Sequence, residues 1–118
     1  MRMLIVVSSL LLAAVATDAA RAHAFLDHSS PLVGSRVPSA PRQLTMWFTQ
    51  NLEPAFRSLQ VTGPNGARVD AGKARICANT MQVGLRPAGP GTYHVHWHAL
   101  SVDTHTTAGS FSFTVGGR

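Results

Sequence analysis

Three residues of this chain have the types and placement to hold a metal ion. Asp103-Thr104-His105 offers a carboxylate and an imidazole two positions apart. His23 follows Ala22 directly. Cleavage after Ala22 would make it the first residue, with two nitrogens to offer, the free α-amine and its own imidazole. Nitrogen and oxygen donors of this kind suit Cu(II), which favours tetragonal geometry. Asp103 and His105 would face the same side of an extended strand, so one ion touches both only where the chain is kinked. The stretch Ser101 to Thr107 reads as a loop after a strand and supplies that freedom. Bringing His23 to it from the other end of the chain requires a fold in which the first strand lies near a late one.

The expected cleavage rests on the layout of the first 22 residues. Met1-Arg2-Met3 is a short positive start, Leu4 to Val15 is apolar, and Ala20-Arg21-Ala22 carries small residues at the two positions a signal peptidase reads. That is the three-part pattern of a secretory signal peptide. The apolar run is shorter than the about 20 residues a spanning helix needs. Asp18 and Arg21 follow closely. A Sec-type leader at 1–22 and one exported domain at 23–118, not anchored in the membrane, are therefore expected. Ala22-His23-Ala24 is an alternative cleavage frame that would remove His23.

The exported part, His23 to Arg118, is long enough for one domain with a real core. It holds eight Lys and Arg against four Asp and Glu, and all six histidines. The basic residues are scattered, whereas nucleic-acid binding shows a clustered basic footprint; no nucleic-acid partner is expected. Cys77 is the single cysteine, so no intramolecular disulfide forms. Its neighbour Ile76 favours a buried thiol.

Short β-like runs alternate with Pro and Gly along this part. Strands are expected at Leu44–Thr49, Ser58–Thr62, Thr80–Leu85, Thr92–Leu100 and Ser110–Val115, with a further short one beginning near Val69. Leu52–Arg57 is expected to form a turn of helix. Six or seven short strands at this spacing predict an all-β antiparallel sandwich or Greek-key barrel. In Thr92–Leu100, Tyr93, Val95 and Trp97 share one face and His94, His96 and His98 the other. The first face is read as core and the second as a solvated polar surface, with a second, weaker metal site as its alternative reading.

The start HAFLDHSSPLVGSRVPSAP, the segment LTMWFTQNLEPAF and the ending GTYHVHWHALSVDTHTTAGSFSFTV together resemble the CopC family of periplasmic copper-resistance proteins. The most specific part runs from Trp97 to Phe113. The resemblance implies a seven-stranded Greek-key β-barrel with an immunoglobulin-like look. It also implies one Cu(II) per monomer, held by the amine and imidazole of His23 with Asp103 and His105. A periplasmic copper carrier in copper homeostasis or resistance would follow, handing the ion to an inner-membrane copper transporter. Two departures stand out. Some family members carry a carboxylate where this chain has Gln50. Others have a Met-rich loop suited to Cu(I), whereas Met46 and Met81 are the only methionines after the leader and read as core. No dedicated Cu(I) site is expected.

Two other classes compete. A copper-dependent oxidase or monooxygenase would also use an N-terminal His chelate. Against it, Asp103 adds an anionic ligand that favours Cu(II) over Cu(I), and most aromatics fit core positions; no enzyme activity is expected. An immunoglobulin-like interaction module with incidental histidines would bind no metal tightly.

Overall fold

The computed structural model describes residues 26–116. Alternation of apolar and polar side chains gives these residues two four-stranded sheets, packed face to face around one core. The strands in chain order are β1 (Leu26–Ser30), β2 (Arg36–Val37), β3 (Gln43–Phe48), β4 (Leu52–Thr62), β5 (Asp70–Cys77), β6 (Thr80–Leu85), β7 (Gly91–Ser101) and β8 (Thr106–Val115). One sheet runs β1-β3-β6-β5 and the other β2-β8-β7-β4. The all-β sandwich expectation holds. The described strands number eight because the two-residue β2 pairs in parallel with β8 at Thr114 and Val115.

Period-two patterning sets which residues enter the core. Met81, Val83 and Leu85 of β6, Tyr93, Val95, Trp97 and Ala99 of β7, and Phe111, Phe113 and Val115 of β8 are all buried. The aromatic rings meet there: Phe48 lies 6.0 Å edge-on to Trp97, and Tyr93 stacks at 5.2 Å on Phe113. Met46 and Met81 are fully buried and face each other across the β3–β6 pair. Gly109 lies opposite Trp97, and a Cβ there would come within 2.5 Å of the indole ring. The absence of a side chain at position 109 is what lets the indole lie against β8.

Two expectations are corrected. Leu52–Arg57 is strand, not a helical turn: Leu52 pairs with Ser101, and the register shifts before Arg57 pairs with Ala99. A shift of this kind marks a bulge, which bends a strand without ending it. The Arg57 guanidinium then crosses to β5 and donates to the Ala74 carbonyl at 2.8 Å. Cys77 is exposed, not buried. Along β5, Ala74 is buried and Ile76 half-buried, so strand parity turns Arg75 and Cys77 outward.

Several connections meet at one end of the sandwich. Phe48 ends β3 there, its amide donating to the Asn79 carbonyl. Leu52 begins β4 there, its amide donating to the Ala78 carbonyl. Val102 follows β7 and donates to the Asn51 carbonyl at 3.0 Å. Leu26, the first residue of β1, pairs with Phe48 at this same end.

Candidate metal centre

The turn between β7 and β8 is built on a buried serine. Ser101 is fully buried as the last residue of β7. Its amide donates to the His105 carbonyl at 2.9 Å, and its carbonyl accepts from the Thr104 amide at 2.9 Å. Thr104 takes φ +74°, the left-handed region that reverses the chain tightly. The kink required of this loop is therefore present.

The Ser101 hydroxyl then does two jobs. It donates to Asp103 Oδ1 and accepts from the His105 amide at 3.2 Å. Both candidate ligands are thus tied to one buried oxygen. Their side chains meet: His105 Nδ1 is 3.3 Å from Asp103 Oδ1. Both remain open to water, with Asp103 49 % and His105 78 % exposed. The hydrogen bond from Ser101 holds the Asp103 carboxyl below the usual carboxylate range; burial opposes this in part, and His105 reinforces it. The carboxylate stays anionic under mildly acidic conditions, the form that binds a cation.

Gln50 lies across from this turn in the β3–β4 connection. With its amide oriented so that nitrogen faces the carboxylate, it donates to Asp103 Oδ2 at 3.1 Å and Oδ1 at 3.2 Å. The sequence singles out Gln50 as a departure but gives no hint that it touches Asp103. Ser101 is a further contributor that sequence reasoning misses, since a serine at a strand end carries no distinguishing signal.

His23 lies outside the described residues, and so does the segment 1–22. Among the described residues, no group of three or more His, Cys, Asp and Glu side chains gathers to hold an ion. The structure brings Asp103 and His105 together as a pair. His94, His96 and His98 are all exposed on the outward face of β7, as the alternation predicts.

His28 is differently engaged. Its ring stacks on Trp47 at 4.4 Å and 9° between planes, and its Nδ1 lies 2.7 Å from Asp27 Oδ2.

Known proteins resemble this chain along most of its length. Residues 26–116 match the family described as the CopC domain. The chain is 32 % identical to protein YobA of Escherichia coli over 111 residues, covering 91 % of this chain and 90 % of that one. It is 34 % identical to copper resistance protein C of Xanthomonas campestris pv. juglandis, covering 87 % of each. Among solved structures, CopC from Methylosinus trichosporium OB3b superposes with TM-score 0.67 at 28 % identity, covering 79 % of this chain and 93 % of that one. PcoC, a methionine-rich copper resistance protein from Escherichia coli, gives 0.65 at 32 % identity, covering 77 % and 96 %. A two-sheet sandwich, a family match spanning every described residue, and relatives this similar along most of their length agree: the chain belongs to the CopC family of copper-resistance proteins.

Proposed function

We propose that this protein is a periplasmic carrier of one Cu(II) ion, held by the amine and imidazole of His23 together with Asp103 and His105. The observation that carries the reading is the turn itself. A carboxylate and an imidazole lie 3.3 Å apart, both exposed, on a kinked loop fixed from beneath by a buried hydroxyl. The donor set suits the ion, since imidazole and carboxylate are both ligands that Cu(II) accepts. The course of β1 supports the remaining ligands. Leu26 begins at the end of the sandwich that carries this turn, and three residues of chain reach about 10 Å. Within that reach His23 is proposed to return toward Asp103.

Binding and release follow from the same chemistry. The α-amine carries a proton with an ordinary pKa of about 7.7–8.0, which the ion must displace. Affinity therefore falls as pH falls. The exposed turn leaves the ion within reach of an accepting site, which suits hand-off to an inner-membrane copper transporter by a monomeric carrier that performs no catalysis itself. Removal of 1–22 on export is part of the proposal, because the amine exists only after that cut.

The test is intact-mass analysis of the exported protein combined with Cu(II) titration. A chain beginning at His23 that takes up one tightly held Cu(II) supports the reading. One residue added before His23 should weaken binding greatly, because the amine leaves chelate reach. Unchanged affinity in that extended chain, or a mature chain beginning at Phe25, would overturn it.

A further inference from the structure

Half of the histidines in this chain stand in a single row on one strand. His94, His96 and His98 occupy alternate positions of β7 and point away from the core. None of the three rings engages a described residue by hydrogen bond, salt bridge or stacking, in contrast to His28, whose ring is stacked and whose Nδ1 faces a carboxylate. Their cross-strand neighbours are small or uncharged. Thr62, Gln60 and Ser58 lie opposite on β4, and Ser112, Ser110 and Ala108 on β8. No carboxylate or guanidinium on those neighbours competes for the ring nitrogens, and no bulky side chain shields them.

The spacing decides what such a row can bind. Successive residues of a strand rise about 3.3 Å, so adjacent histidines of the row are separated by about 6.7 Å at the backbone. Each imidazole extends outward and can swing about its side-chain torsions. An imidazole Nε2 reaches further from the backbone than the carboxylate of an aspartate, so two neighbouring rings can converge on one ion without a kink in the strand, at metal–nitrogen distances of about 2.0–2.1 Å. The outer pair, His94 and His98, is twice as far apart and cannot. All three rings also fail to meet at a point, consistent with the absence of a three-residue cluster among the described residues.

We infer that the outward face of β7 is a second, weaker metal site, in which His96 pairs with either His94 or His98 to chelate one divalent ion of Zn(II) or Cu(II) type. The remaining coordination positions are filled by water. The two pairs share His96, so they are mutually exclusive and hold one ion between them. Unlike the turn at Asp103, the site has no carboxylate and no buried hydrogen-bond partner that holds its rings in place, which is why it is the weaker of the two. It is also independent of export processing, because no ligand lies near the N-terminus.

The experiment uses the exported chain loaded with one equivalent of Cu(II), then titrated with Zn(II) while the histidine ring resonances and the bound zinc are followed. Zn(II) should perturb the rings of His94, His96 and His98 and leave that of His28 unmoved. His96→Gln should lower the Zn(II) affinity by roughly tenfold or more, since only single imidazoles remain. His94→Gln and His98→Gln should each retain about half the affinity, because one pair survives in each. All three positions are exposed, so folding is not at issue. Equal Zn(II) binding by the parent and His96→Gln would overturn the site. Equal losses in all three variants would overturn the shared-ligand arrangement. Should the first Cu(II) equivalent itself be lost in His96→Gln, the carrier site at Asp103 is what fails, and the row on β7 is the main one.

Discussion

Asp70 begins β5 beneath the guanidinium of Arg68, and Asp103 stands in an open turn above the hydroxyl of Ser101. Both carboxyls are held below the usual range by hydrogen bonds, yet their situations differ. Asp70 is 7 % exposed. Its Oδ1 accepts from Arg68 Nε at 2.8 Å and from the Val61 amide at 2.9 Å, and its Oδ2 accepts from Arg68 Nη2 at 2.7 Å. Its lone pairs are committed to ordering the chain. Asp103 is half exposed, and its partners are a hydroxyl, an amide nitrogen and an imidazole that can each yield to an ion. A depressed carboxyl is thus no mark of function by itself; what separates the two is whether an oxygen remains available to something from outside.

Substitutions at the two positions should therefore separate binding from stability. Asp103→Ala should lower Cu(II) affinity by about 100-fold or more, since losses of 10–100-fold are typical for supporting residues alone. Its stability should fall by about 1 kcal/mol, the cost of leaving the buried Ser101 hydroxyl without its acceptor. Asp70→Asn should instead cost about 1–3 kcal/mol in urea unfolding while leaving the Cu(II) isotherm unmoved. If Asp70→Asn weakened copper binding as much as Asp103→Ala, the distinction would collapse.

Ser101→Ala probes the link between the two properties. It removes the oxygen that ties Asp103 to the His105 amide. Affinity should fall about tenfold, the lower end of supporting-residue effects. Stability should fall by about 1 kcal/mol for the lost buried hydrogen bond. The smaller change in binding relative to Asp103→Ala is the outcome to check by paired titrations.

Acid unfolding sharpens the contrast further. The folded pKa of Asp70 lies below its unfolded value of about 3.9, so its contribution is complete above that pH and is lost as pH falls toward the folded value. Unfolding curves collected at successively lower pH should show a shallower acid limb for Asp70→Asn. The smallest effect is expected from Gln50→Glu. A second carboxylate beside Asp103 should raise Cu(II) affinity only a few-fold while destabilising the metal-free turn slightly through like-charge repulsion. Calorimetric titration alongside thermal unfolding reads both.

The legibility of these features in the sequence was uneven, for physical reasons. β7 is plain because six alternating positions, Tyr93 to His98, carry opposite polarity, and parity alone assigns their faces. The Asp103–His105 pair is plain because both candidate residues lie in one short segment. The apolar neighbour Ile76 points to a buried Cys77, but the parity of β5 decides otherwise, since Ala74 and Ile76 take the inward side. Leu52–Arg57 lacks clean alternation and contains Pro54, so its strand character emerges only from pairing with β7. The contact between Gln50 and Asp103 joins the β3–β4 connection, which crosses from one sheet to the other, to the β7–β8 turn within the second sheet. It depends on how the sandwich closes, which no local pattern records.

Trp97 and Trp47 make the molecule a two-channel optical instrument. Trp97 is sealed in the core, 1 % exposed, with its indole N–H unpartnered among the described residues. Its excited state meets almost no mobile dipoles, so its emission should sit toward the blue and resist soluble quenchers. Trp47 is half-buried, lies flat against the ring of His28 and samples solvent. Its emission should sit further to the red and respond to changes at the β1–β3 edge. Light collected at the two ends of the spectrum therefore reports separately on the interior and on one outer surface, without any label being attached.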